Sequence, residues 1–223
     1  MKRWMSTAAL GLTILLLGVL VHQSPAAMAE GVTEHVAVAQ SGDATCVGTL
    51  PPGSYVNVVV PANASCTLDQ THRIFADLRV EPGAVLTATG VYVEANLVSF
   101  GCIYATDIRV GGVAQLNPSG GGAPCYITGS SIGASLELRG GLGGFRLEQT
   151  MVGGGVDLLD VDPSGTYGPD VLANTIVGGA VRSINRFGIN VANTTIGGGL
   201  VCSNYGPSNL AGGNVIGGQT SCP

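Results

Sequence analysis

The chain has 223 residues, a formal charge of −5, 10% charged residues against 45% hydrophobic ones, and 36 glycines. Lys2 is its single lysine. An acidic chain this poor in lysine is not expected to bind nucleic acid or anionic lipid headgroups, because both require dense basic neutralisation of phosphate.

Lys2 and Arg3 precede an apolar run from Ala8 to Val21, and Ala27-Met28-Ala29 then places small residues where a signal peptidase reads. The run is about 14 residues, short of the roughly 20 that a bilayer-spanning helix needs. Residues 1–29 are therefore expected to be a signal peptide, which makes the protein secreted or associated with the cell surface. No later stretch is apolar enough to span, so no transmembrane segment is expected after cleavage. Loss of Lys2 and Arg3 takes the formal charge to −7. Residues 30–45 lack periodicity and read as a flexible leader, and 46–223 as one domain.

Residues 54–60 form the first clear strand, with Val56, Val58 and Val60 expected on one face. Further short strands are expected at 74–80, 84–87, 91–97, 104–110 and 113–116, each bounded by Gly, Pro or Asn. No stretch after Ala29 carries apolar residues at helical spacing over three turns, so almost no helix is expected.

The second half repeats itself. SSIGASL, TMVGGGV, NTIVGGAV, NTTIGGGL and GNVIGGQ place glycines at Gly133, Gly153, Gly178, Gly197 and Gly217, in steps of 20, 25, 19 and 20. A period near 20 with alternating apolar residues after each glycine pair marks a solenoid with short stacked strands. The glycines are expected to supply the positive φ of a sharp turn. Asn174, Asn193 and Asn214 precede them and are expected to stack as a hydrogen-bonded amide ladder. The longest coil carries an insertion over 160–170, read as a projecting loop. Asp77-Leu78-Arg79-Val80 matches Asp107-Ile108-Arg109-Val110 at a separation of 30, with Leu138-Arg139 a further 30 on. Either the early coils are shorter or the match is chance.

Six cysteines, Cys46, Cys66, Cys102, Cys125, Cys202 and Cys222, follow the apolar run, and export favours disulfides. Consecutive members lie 20, 23 and 20 residues apart, each close to one coil. Residues one coil apart stack about 4.8 Å apart, within disulfide reach. The expected pairs are Cys46–Cys66, Cys102–Cys125 and Cys202–Cys222.

Candidate chemistry is sparse. His35 lies in the leader, and His72, without a nucleophile motif, is expected at the surface. Asp160, Asp162 and Ser164, with Gly165, match the opening of a calcium loop, but Val171 stands where the closing glutamate belongs. Ca2+ is the one cofactor this pattern admits, and a solvated turn is the alternative. Asp157 and Asp170 complete an acidic cluster. Glu137 and Asp157 are expected on adjacent coils, at the separation of a retaining glycosidase pair, or as scattered surface charges. Arg146 or Arg182 would have to serve as the basic group of a polysaccharide-cleaving enzyme. Thr87-Ala88-Thr89 is similar to the threonine rows of ice-binding solenoids, but the pair does not recur. Asn63 and Asn193 fit a glycosylation pattern that matters only in a eukaryotic secretory pathway.

The strings 61–68 (PANASCTL), 193–204 (NTTIGGGLVCSN) and 213–219 (GNVIGGQ), with terminal Cys222, resemble a group of small exported bacterial proteins without an assigned role. The resemblance implies an all-β, right-handed parallel β-helix and export, and carries no catalytic residues. About eight coils at about 4.8 Å each give a length near 38 Å. The expected function is an exported structural or adhesive cell-envelope protein with no catalytic centre. The alternatives are a glycan- or calcium-binding module or a pectate-lyase-like enzyme. Its expected partner is a cell-envelope glycan or protein, contacted through the 160–170 loop with Tyr167. Tyr55, Tyr92, Tyr104, Tyr126 and Tyr205 offer the remaining sugar-stacking rings.

Overall fold

The computed structural model describes residues 42–118, 125–140, 144–159, 170–184, 188–204 and 206–223. They form three parallel β-sheets of ten, nine and nine strands, with no α-helix among the described residues. The chain visits the sheets in rotation. Ala44–Thr45 lies in the first, Gly48–Thr49 in the second and Gly53–Tyr55 in the third, and Val58–Val60 returns to pair with Ala44–Thr45. Nine strands in a sheet are joined by eight steps, so the fold is a parallel β-solenoid of about eight turns, as the repeat requires. Its first strand, Ala44–Thr45, falls inside the stretch expected as leader. The expected signal peptide lies outside the described residues.

Alternation makes the core. In the first sheet Val58, Leu78, Leu97, Ala114, Leu136, Val156, Val181 and Leu200 stack in register and are essentially buried. Each such side chain contributes roughly 1.5–3 kcal/mol of burial, apart from the small Ala114. The next residue on each strand points outward.

Several expected strands are pairs that turn a corner. The 54–60 stretch breaks into Gly53–Tyr55 and Val58–Val60, and Val56 is exposed rather than on the face of Val58. Likewise 74–80 and 91–97 cross from the third sheet to the first, and 104–110 from the second to the third. Aliphatic alternation runs through the bends, so periodicity alone does not mark them. Side chains hold the early bends. Asn57 Oδ1 accepts from Asp77 N at 3.1 Å, Asp77 Oδ1 from Asn96 N at 3.1 Å, and Asn96 Oδ1 from Val113 N at 3.0 Å. The polar ladder expected at Asn174–Asn193–Asn214 thus occurs at Asn57–Asp77–Asn96.

From Gly111 onward this corner is lined with glycine. A Cβ on Gly133 would lie 2.2 Å from the Gly111 carbonyl oxygen, and one on Gly178 would lie 2.2 Å from that of Gly153. Gly153, Gly197 and Gly217 are equally tight, at 2.2–2.3 Å. None of these glycines has positive φ. They are required by the close approach of one coil to the next, which corrects the turn-based expectation.

Coil length varies. Leu97 to Ala114 is a coil of 17 residues, Ala114 to Leu136 one of 22, and Val156 to Val181 one of 25. Leu78–Val80 belongs to the first sheet and Arg109–Val110 to the third, so the 30-residue match is chance. All three expected disulfides are present, with Cα–Cα distances of 5.6, 5.5 and 4.5 Å for Cys46–Cys66, Cys102–Cys125 and Cys202–Cys222. They fit an oxidising environment.

Candidate functional site on the outer face of the third sheet

The third sheet buries Ile74, Val93, Val110, Ile132, Val152, Val177 and Ile196. Its outward column reads Arg73, Tyr92, Arg109, Ser131, Met151, Ile176, Thr195 and Val215, one residue per coil in register. Met151, Ile176 and Val215 are 55%, 50% and 61% exposed, an uncommon density of apolar side chains for one solvated column.

Two grooves flank this column. On one side lies the glycine corner. A trough floored by Gly111, Gly133 and Gly153 begins at Tyr92 and runs past Arg109, Ser131 and Met151. On the other side the chain turns in from the second sheet through a column of residues with positive φ. These are Gly90 (68°), Asp107 (55°), Gly129 (63°), Gln149 (50°), Asn174 (51°) and Asn193 (50°). The turn has a local cause. After Gly129, Gln149, Asn174 and Asn193 comes a buried hydroxyl, Ser130, Thr150, Thr175 or Thr194. Each donates to the carbonyl two residues earlier, at 2.7, 2.8, 3.0 and 2.9 Å. The residue between is pushed outward and forms the rim. This second groove is lined by Asp107, Arg109, Gln149, Asn174, Met151 and Ile176, with Ser130 and Thr150 below.

The amides of Asn174 and Asn193 stack in register without bonding to each other. Asn214 is displaced to the level of Thr194, whose N–H it accepts at 3.0 Å. The expected ladder therefore does not form here, and the Gln149, Asn174 and Asn193 amides face solvent. The charges differ along the face. Arg73 donates to Glu94 at 2.5 Å and lies 5.2 Å from the ring centres of both Phe75 and Tyr92. The Arg109 side chain has no ion-pair or hydrogen-bond partner among the described residues.

The other sequence candidates scatter. Asp160, Asp162, Ser164 and Tyr167 lie outside the described residues, as does Tyr205. Asp170 is the described end of this cluster. It opens the strand Asp170–Ala173, is buried, and accepts from Phe145 N at 3.1 Å. Glu137 and Asp157 do pair in register on the first sheet. Glu137 is engaged by Arg139 and by Gln115 Nε2 at 3.4 Å, and Arg182 stands in register with Asp157 on the next coil. Arg146 is tied to Glu148 on the second sheet, away from that pair. Among the described residues no three His, Cys, Asp or Glu side chains converge.

His72 is not a surface residue. It is 5% exposed, stacked against Tyr55, with Nε2 3.1 Å from the Leu50 carbonyl and Nδ1 2.9 Å from Asp69 Oδ1. Tyr55 is buried too and donates to the Pro51 carbonyl at 2.6 Å, so it is no sugar platform, and burial pushes its phenol upward. Together they clamp the 50–51 segment on the first coil. Nothing in the tripeptide 71–73 signals this, because the partner of Nε2 is a backbone carbonyl 22 residues away. On the second sheet the Tyr104 and Tyr126 rings meet at a tilt of 48°, with centres 5.3 Å apart. Thr49–Thr67–Thr87 and Thr89–Thr106–Thr128 are each in register, but on different columns and mostly different coils. Only Thr87 and Thr89 form a complete pair.

No family model matches the chain, and no curated protein or solved structure shows significant similarity to it.

Proposed function

We propose that the protein is an exported structural or adhesive component of the cell envelope, acting through the outer face of its third sheet rather than through a catalytic centre. The reading rests on one observation: the column that exposes Met151, Ile176 and Val215 by half or more, between two axial grooves on a covalently braced scaffold. Solvated apolar columns are costly in a free protein and mark contact surfaces. The signal-like N-terminus and the three disulfides support export. The carboxylate pair Glu137–Asp157 supports catalysis poorly, since it lies on an open sheet face and Glu137 is already salt-bridged.

The test is co-sedimentation with cell-envelope material. Met151→Glu combined with Ile176→Glu keeps both residues on the solvated side, so folding should persist. The variant should release from the envelope. Undiminished sedimentation of a folded variant would exclude this face as the contact surface.

A further inference from the structure

We infer that the groove between the amide rim and Met151–Ile176 binds an uncharged, β-1,4-linked polysaccharide lying along the solenoid axis. The inference rests on the reading of this face as the contact surface and names its ligand.

The rim supplies the polar half. Gln149 and Asn174 are exposed and without a side-chain partner, so each offers a free donor and a free acceptor. Positive φ at this rim is met by glycine or asparagine without further reason. Glutamine has no such preference, so the amide at Gln149 is not explained by the backbone (φ 50°). The opposite wall supplies the apolar half, with Met151 and Ile176 directly stacked. A pyranose ring has the same division, with hydroxyls around its edge and C–H groups on its faces.

The repeat selects a glycan over a peptide. An amide and an apolar side chain face each other on two successive coils, Gln149 with Met151 and Asn174 with Ile176, about 4.8 Å apart. That is close to the rise of one sugar in an extended β-1,4-linked chain, so successive rings meet successive coils. An extended peptide advances about 3.3 Å per residue, out of step with the coils. Charge selects a neutral chain. The groove holds one carboxylate, Asp107, and one guanidinium, Arg109, while the acidic protein repels polyanions. Arg109, whose side chain has no ion partner among the described residues, and Ser131 stand ready to donate to ring hydroxyls.

The experiment is calorimetric titration of the chain, expressed with its own N-terminus, with soluble β-1,4-linked oligomers of glucose and of N-acetylglucosamine. Polygalacturonate serves as the acidic comparison, and envelope co-sedimentation is run in parallel. Gln149→Gly with Asn174→Gly removes both amides while permitting positive φ. At least one neutral oligomer should bind, polygalacturonate should not, and the double variant should weaken binding about tenfold, as expected for two lost hydrogen bonds. Met151→Ser, in the opposite wall, should weaken it severalfold and serves if the double variant misfolds. Absence of neutral-oligomer binding, preference for polygalacturonate, or full affinity in a folded variant overturns the inference. If the wild type then still sediments with envelope, the contact-surface reading survives; if it does not, that reading fails as well.

Discussion

Two corners of this solenoid obey different rules. Where the third sheet passes to the first, the step is three residues at Tyr55 to Val58 and then constant: Ile74 to Leu78, Val93 to Leu97, Val110 to Ala114, and so on to Ile216 and Thr220. Where the first sheet passes to the second, it varies. Ser99 to Ile103 is short, whereas Leu158 to Asp170 takes up the insertion of the longest coil. From Gly111 onward the fixed corner is packed coil on coil, with no room for a Cβ, so neither its length nor its glycines can drift. The variable corner accepts added chain, from four residues at Ser99 to Ile103 to twelve at Leu158 to Asp170. A fixed corner also keeps the third sheet's outer column and its glycine trough in strict register. A regular array is what a repetitive partner requires.

The largest effect that would break this comparison is steric. Gly178→Ala puts a methyl 2.2 Å from the Gly153 carbonyl oxygen, a backbone atom that cannot swing aside. It should cost about 3–5 kcal/mol, seen as a large fall in the denaturant midpoint. A five-residue insertion between Leu159 and Asp170, at the variable corner, should cost under about 0.6 kcal/mol. Equal costs at both corners would dissolve the distinction. Next come the braces. Cys46→Ala with Cys66→Ala, or Cys202→Ala with Cys222→Ala, opens a loop of about 20 residues at one end and should cost about 3 kcal/mol in urea unfolding.

The smallest effect sharpens the account at the first coils. Hydrogen bonds from the Thr71 hydroxyl and amide, with a lesser contribution from the His72 charge, hold the Asp69 carboxyl below its ordinary range. A carboxyl with a depressed folded pKa adds stability above its unfolded value, near 3.9, and loses it as pH falls through the folded value. Asp69 is fully exposed, so the increment is small. Asp69→Asn should lower the melting temperature slightly near neutrality and converge on the wild type in acid, so that the acid limb of the profile is flatter. An equal loss at all pH values would assign Asp69 a purely structural part in the His72 clamp.

What the sequence discloses follows from where constraint is local. The coil, the disulfides and the parallel architecture are legible because glycine, cysteine and alternation recur once per coil. The reason for the glycines is not legible. A turn and a close backbone approach demand the same residue, and only the neighbouring coil distinguishes them. The corners at Val56-Asn57 are hidden because valines continue through the bend. The amide ladder at Asn57–Asp77–Asn96 was detectable from its steps of 20 and 19, but the aspartate in its middle disguised it. The face itself is hardest to read. Arg109, Ser131, Met151 and Ile176 share no residue type, and only register unites them.

Hydroxyl-radical footprinting of the protein bound to envelope material tests the central claim most directly, because it reads side-chain exposure at each column. The account predicts protection of Tyr92, Met151 and Ile176 on the third sheet, with Tyr126 on the second and Val201 on the first as reactive as in the free protein. Protection of Tyr126 or Val201, or of residues 160–169, with Met151 and Ile176 still fully reactive, would contradict it.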